Sequence, residues 1–372
     1  MLVAGSLAFC VLAVVAAMRY RAVRPAPLEP GQARSAAAIS VLKPLSGAEE
    51  GLEENLCSFF EQKYPDYEIL FAVRSPQDPA TPIVKRLQAR YAAVPSELIV
   101  TGEPPYANAK VYSLERMLAA ARHPLVVMAD SDTRVTPKML ATLAAEFRNE
   151  KIGLVTCPYR AVPGASVWST LEAVGLNTEF AGGVLVARML EGMKFALGPV
   201  IAARRAALES IGGMDALKDY LAEDYVLGKR VAQRGFGVIL SSYVIEHRIG
   251  AEGFVANVRH QLRWNRSTRR SRPWGYVGQL FTHPLPLALL LWAARPQWWP
   301  VVPLAAAFRA AAGWVTAMHA LDDPLIRRLW WVGPIQDLAS FLMWLAGFFG
   351  NTILWRGRKY ALLRDGRFEP VG

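Results

Sequence analysis

The chain has 372 residues, a formal net charge of +11 and a hydrophobic content of 53%. That length suits roughly two domains, and a pI near 9.7 suits a phosphorylated substrate, anionic lipid or nucleic acid. Nucleic acid is set aside as a partner, because the chain has membrane-length apolar segments and no recognisable nucleic-acid module. Cys10, Cys57 and Cys157 are too few and too far apart for a disulfide framework or a zinc site.

Met1–Met18 is apolar throughout and about long enough to cross a bilayer. Arg19, Arg21 and Arg24 follow it and nothing basic precedes it, so the next part of the chain is expected in the cytoplasm. A cleaved signal peptide would carry a basic start and a small-residue cleavage site, and both are missing. Residues 1–23 therefore read as an uncleaved anchor and the Pro- and Ala-rich 24–36 as a linker.

From Ala37 onward the pattern alternates between strand and helix. Strands are predicted at Ala37–Leu42, Tyr67–Val73, Glu97–Val100, Leu125–Ala129, Ile152–Cys157 and Phe195–Ala203. Helices are predicted at Leu52–Gln62, Pro82–Ala92, Ala107–Ala121, Pro137–Phe147, Leu221–Arg234 and Gly253–Trp264. Such alternation predicts an α/β domain over 37–274 with a mostly parallel sheet covered on both faces. No G-x-G-x-x-G follows the first strand, which argues against a dinucleotide cofactor. Gly175–Gly192 carries an apolar stripe that fits either a core helix or an interfacial one.

Three more apolar segments, Val277–Ala294, Trp298–Leu321 and Leu329–Trp355, are each long enough to span a membrane. Tryptophans cluster near their ends, as interfacial anchors do. The basic stretch Asn265–Trp274 beside them is expected to meet anionic headgroups. Residues 275–355 thus read as a membrane region and 356–372 as a basic tail. Arg327 and Arg328 place one loop in the cytoplasm, and the tail also reads as cytoplasmic. A single crossing between them conflicts with that, and Gly333, Pro334, Asp337, Gly347 and Gly350 interrupt the last segment. The parity stays open.

The chemistry centres on Pro124–Asp132, where the apolar run Leu125–Ala129 ends in Asp130-Ser131-Asp132. Ligands of open α/β sheets bind beyond the carboxyl ends of such strands. Two carboxylates there suit Mg2+ or Mn2+ bridging to phosphate, and equally an Asp-rich turn capping the next helix. Asp224 stands at a helix start, positioned as a general base or as a helix-stabilising acid. The helix dipole there would lower its pKa. Arg263 and Trp264 end an amphipathic helix, where they fit a phosphate-binding fork or a membrane edge.

Four ordered motifs then resemble one family. Gln77-Asp78-Pro79, Asp130-Ser131-Asp132, Ala222-Glu223-Asp224-Tyr225 and Arg263-Trp264 resemble the motifs of membrane-bound GT-A glycosyltransferases of the ceramide glucosyltransferase type, family 21. Trp355-Arg356-Gly357-Arg358-Lys359-Tyr360 resembles that family's C-terminal ending with a spacing difference. Bacterial hopanoid glycosyltransferases resemble the same family. The resemblance implies a GT-A fold, a UDP-sugar donor such as UDP-glucose, a divalent cation, inversion at the anomeric carbon and a lipid hydroxyl acceptor. It implies Asp224 as base, Asp130 with Asp132 at the metal, Asp78 at the nucleoside, and Arg263 with Trp264 at the diphosphate or the acceptor side. It also implies an integral protein of the bacterial inner membrane with a cytoplasmic catalytic domain.

Two departures stand out. His260 occupies the position where the family's Q/R-x-x-R-W motif has Gln or Arg, with Gln261 beside it. Family members often carry a small residue in place of Asp132, which shifts the weight of the metal assignment to Asp130. Ceramide and a hopanoid tetrol, the latter with UDP-N-acetylglucosamine, both fit as acceptors, since each presents a primary hydroxyl. A processive polysaccharide synthase would need more membrane helices than this chain offers. A non-catalytic adaptor would have lost Asp130 or Asp224, and both are present.

Overall fold

A computed structural model describes residues 1–22, 37–251, 253–355 and 357–371. The expected linker 24–36 and Arg356 of the basic tail lie outside the described residues. The chain forms two compact units that interleave in sequence: Arg24–Pro158 with Met193–Arg248, and Met1–Val23 with Tyr159–Gly192 and Ile249–Gly372. This grouping differs from the linear division at 274. Tyr159–Gly192 joins the terminal segments because the helix Ala181–Glu191 packs on the N-terminal helix Leu2–Ala22.

The first unit is built on a seven-stranded sheet. In chain order its strands are β1 (Ile39–Pro44), β2 (Tyr67–Val73), β3 (Ser96–Val100) and β4 (Leu125–Ala129), followed by the short β5 (Thr133–Arg134). Then come β6 (Ile152–Thr156), β7 (Val200–Arg204), β8 (Gly237–Leu240) and β9 (Ile245–Arg248). The sheet order is β3-β2-β1-β4-β7-β6-β8, and β5 pairs separately with β9. All pairings within the large sheet are parallel except those of β7, which is antiparallel to β4 and β6.

Continuous apolar strands fit a sheet with both faces covered, and every residue of β2 and of β4 is buried. Val111, Leu114 and Met117 of the helix Ala109–Ala120 share this core with Val226, Leu227 and Val231 of the helix Glu223–Gln233. The reversed strand β7 has a positional consequence. Its register sets Val200 opposite Ala129, and the Asp130 amide donates to the Pro199 carbonyl at 2.9 Å. The loop before β7 is thereby fixed beside the acidic turn after β4.

The second unit holds the apolar helices. Leu2–Arg21 and Pro296–Ala320 are long and apolar enough to cross a membrane by length and composition. The predicted span at Val277–Ala294 is instead a pair of helical segments, Pro273–Thr282 and Pro284–Ala294, bent by 69° around His283. The segment Leu329–Trp355 is not one helix either. Its central helix, Val332–Gly347, has 16 residues, or about 24 Å at 1.5 Å per residue. Gly350, at φ +75°, sits in the left-handed region just beyond it, and Thr352–Trp355 continues as a strand. That strand forms an antiparallel sheet with Arg358–Leu362 and Phe368–Pro370 of the basic tail.

The basic stretch has a structural use. The helix predicted to end at Trp264 runs on to Ser271. Arg266 donates to the Phe349 and Thr352 carbonyls at 3.0 and 2.7 Å, and Arg269 donates to the carbonyls of Phe348 and Gly350. These guanidiniums satisfy carbonyls that the end of Val332–Gly347 and the following turn leave open.

Buried charge also marks this unit. Asp337 is fully buried, and its carboxylate accepts from the Leu285 amide at 3.1 Å. His283 Nδ1 lies 3.1 Å and Arg309 Nε 3.7 Å from Asp337 Oδ1, and Arg309 also donates to Thr178 Oγ1 at 2.9 Å. Removing one partner of a buried pair strands the other charge. R309M is therefore expected to lose about 3–5 kcal/mol of stability, seen as a lower melting temperature in detergent. D337N added to it should recover part of the loss. Equal melting of R309M and the parent chain would refute the pairing.

Candidate active site

The acidic turn after β4 is held from below by a buried lysine. Lys43, on β1, is fully buried, and its ammonium donates to the Asp130 carbonyl at 2.5 Å and to Thr133 Oγ1 at 3.2 Å. Its Nζ also lies 4.0 Å from the Phe59 ring centroid. Burial pushes its pKa down to about 7, against the pull of Asp130, Asp132 and Glu49. Thr133 Oγ1 donates to the same Asp130 carbonyl at 2.7 Å. The main chain of the turn is thus fixed by contacts that leave both aspartate side chains available.

Those side chains face different partners. Asp130 Oδ1 lies 2.7 Å from Lys110 Nζ, which also pairs with Glu223 at 3.1 Å. Lys110 is in the first turn of the helix that Asn108 caps, the Asn108 side chain accepting from the Val111 amide at 3.1 Å. Burial works against the charge on Lys110, but Asp130 and Glu223 hold its pKa above the usual lysine range. Burial raises the Asp130 pKa, opposed by Lys110. Asp132 Oδ2 lies 3.2 Å from His247 Nε2, on β9 opposite Thr133. Burial acts to raise the Asp132 pKa, but His247, with Lys43 and Lys110, outweighs it, so the group titrates below its ordinary range.

Asp224 completes the cluster. Lys110, Asp130, Gly198, Glu223 and Asp224 line one small cavity. Asp224 is in the first turn of the helix Glu223–Gln233, where the helix dipole favours a low pKa. Burial and then the neighbouring Glu223 outweigh that effect, and the carboxyl is pushed up to about 7. Gly198 matters because a Cβ there would lie 3.0 Å from Asp224 Oδ2.

Asp78 has a different environment. Its carboxylate accepts from the Gly47 amide at 3.0 and 3.2 Å and from the Ala80 amide at 2.9 Å. It therefore anchors the loop after β1, where Gly47 has φ +77°. From that loop Glu49 accepts from Ser131 Oγ at 3.1 Å. Arg263 and Trp264 belong to the other unit, on the helix Phe254–Ser271.

The acidic turn suits a hard divalent cation. Asp132 Oδ1 is buried without a hydrogen-bond partner, and a carboxylate oxygen is the kind of donor that Mg2+ or Mn2+ takes. Asp130 and Asp132 are the residues that could hold the ion, with His247 paired to Asp132. In the second unit, Glu179, His283 and Asp337 bring ligand atoms within 4.8 Å of one another, the group among the described residues that does so. There the imidazole faces Asp337 through Nδ1 and Glu179 through Nε2, and Arg309 already supplies positive charge. That group reads as a compensated charge cluster.

Lys43, Lys110, Glu223, Gly198 and His247 were not among the residues expected from the sequence. Only Glu223 had a local signal, as the neighbour of Asp224. A single lysine or histidine carries no pattern that reveals which loop it will meet.

The family model described as glycosyl transferase family 21 matches residues 2–368. Ceramide glucosyltransferase 1 of Caenorhabditis elegans is 31% identical over 223 residues, covering 59% of this chain and 46% of that protein. Ceramide glucosyltransferase 3 of the same organism is 29% identical over 206 residues, covering 55% and 45%. The chain thus spans about half the length of these relatives. Among solved structures, mannosyltransferase PcManGT from Pyrobaculum calidifontis, in complex with GDP-Man and Mn2+, has a TM-score of 0.52 at 18% identity. The match covers 94% of this chain and 99% of that one. The likeness is one of fold, and the fold is GT-A.

The cavity gives a direct prediction. G198A puts a methyl group against Asp224, and a shift of a few tenths of an ångström should lower glycosyl transfer about tenfold. Turnover of G198A equal to that of the parent chain would show that Asp224 needs no such clearance.

Proposed function

Because the chain belongs to glycosyl transferase family 21, we propose that it transfers a sugar from a UDP-sugar, with UDP-glucose the first choice, to a ceramide-type lipid hydroxyl. The observation that carries this reading is the Asp224 carboxyl, pushed up to about 7 in the cavity it shares with Asp130. A base of that strength is matched to proton abstraction near neutral pH. The acceptor class is supported by the ceramide glucosyltransferase relatives and by two helices of membrane-spanning length.

In this reading Asp224 takes the proton from the acceptor hydroxyl. The hydroxyl oxygen attacks the anomeric carbon from the face opposite the diphosphate, its bond to the phosphate oxygen breaks, and UDP leaves with the electron pair. Asp130 and Asp132 would hold Mg2+ or Mn2+, which would offset the charge gathering on the diphosphate. Lys110 supplies further positive charge at the same cavity. Asp78 shapes the nucleotide side by fixing the loop at Gly47. Arg263 and Trp264 serve the diphosphate or the acceptor. The unit built on the seven-stranded sheet works on the cytoplasmic face of the membrane.

Membranes bearing the chain should be offered UDP-glucose, UDP-galactose and UDP-N-acetylglucosamine against ceramide, diacylglycerol and a hopanoid tetrol, with product mass as the readout. A hexosyl adduct of ceramide is expected. An adduct on the hopanoid alone would reassign the acceptor, and no adduct on any lipid would overturn the reading.

D224N should lower kcat by about 10²–10⁴-fold while UDP binding persists; full activity would remove Asp224 from the base role. The pH dependence has a definite sign. Only ionised Asp224 accepts a proton, so kcat/KM should rise with pH and level off above about 7. The same upward shift means that the folded state holds this proton more tightly than the unfolded chain. Through this group, stability is greatest below the unfolded value of 3.8 and falls as pH rises towards 7. A profile flat from pH 5 to 8 would contradict the assignment.

A further inference from the structure

We propose that Glu172 and His260 form a positioning pair that sets the ring of Trp264. The proposal rests on the reading above only in treating Trp264 as part of the transfer machinery.

Glu172 lies on the helix Val167–Gly175 with 6% of its surface exposed. Its Oε1 is 3.1 Å from His260 Nδ1, and its Oε2 accepts from Asn257 Nδ2 at 2.5 Å. Asn257 Oδ1 in turn accepts from Gln261 Nε2 at 2.7 Å. An ionised carboxylate only accepts hydrogen bonds, so the imidazole proton belongs on Nδ1, facing Glu172. His260 is then fixed about its ring axis, and it meets the Trp264 ring edge-on, with centroids 4.7 Å apart at 66°. His260 and Gln261 stand three and four residues after Asn257, and Trp264 four and three residues after them, which places the four along one helix face.

A packing role alone would not call for this chemistry. Two apolar side chains would join these helices at least as well as a buried carboxylate, which must be desolvated and then satisfied at both oxygens. The polar arrangement adds a defined orientation, passed from Glu172 through the imidazole to the indole beside Arg263. Where the family has Gln or Arg at this motif position, this chain has an aromatic ring steered by a carboxylate on another helix. His260 and Glu172 are positioning residues and act through Trp264.

The test is a double-mutant cycle on the full chain in membranes, with UDP-glucose and ceramide as probes. H260A and E172Q should each lower kcat/KM about tenfold in the parent background and by less than about twofold in W264A. The same tenfold loss in both backgrounds, or no loss in the parent, would overturn the proposal. A second measurement needs no turnover. In chain labelled with 5-fluorotryptophan, the Trp264 resonance, assigned by its absence in W264F, should shift in H260A and in E172Q. An unmoved resonance in folded variants would overturn the positioning role even if transfer to ceramide proved absent. A moved resonance without any transfer would uphold the pairing and instead remove the acceptor proposed above.

Discussion

An ammonium shielded from water sits beneath the acidic turn, and the active-site geometry depends on it. Lys43 binds the Asp130 carbonyl and Thr133 Oγ1 from inside the fold. Because β1 and β4 are parallel neighbours, Leu42 is paired with Met128 and the next side chain along β1 lies under the turn. Burial alone would strip the lysine of its proton, and the carboxylates around it work to retain it. The group that anchors the turn is therefore held in place by the charges it anchors. Lys110 and His247 then divide the outward-facing chemistry, one at Asp130 and the other at Asp132.

Much of this fold was legible from hydrophobic pattern. Leu125–Ala129 was predicted as a fully buried strand and is one, because five apolar residues ending in two acids have few other ways to fold. The helix at Glu223–Gln233 and the strand at Tyr67–Val73 were equally clear. The reversed direction of β7 was not, since an apolar run reads the same whichever way its neighbours point. The predicted strand Phe195–Ala203 also began too early, in the loop that brings Gly198 to Asp224. Of the site, the three aspartate positions could be read because acids at strand and helix ends stand out. Their partners could not, because Lys43, Lys110 and His247 reach them through tertiary structure. The strength of Asp224 was missed for the same reason: a helix start argues for a low pKa, and only the folded environment shows that burial prevails.

The unit that holds the apolar helices shows the same limit in another form. Arg266 and Arg269 look in sequence like a surface for anionic lipid, yet their hydrogen bonds run to main-chain carbonyls at the end of a neighbouring helix. The last apolar segment looks long enough to span, but it is divided into a helix and a strand near Gly350. In both cases composition is right about the residues and silent about the backbone groups they must satisfy. Asp337 and His283 were embedded in apolar stretches, and the structure gives them Arg309 as a counter-charge.

The turn at Asp130 separates two kinds of order. Its main chain is tied to the interior through a carbonyl, whereas its side chains pair with Lys110 and His247. An incoming ligand can exchange partners with the carboxylates through rotamer changes alone, with no loop to fold. Little conformational entropy is then lost on binding. The site behaves as a fixed socket with a changeable rim, so related chains could change the rim's occupants while keeping the same wall.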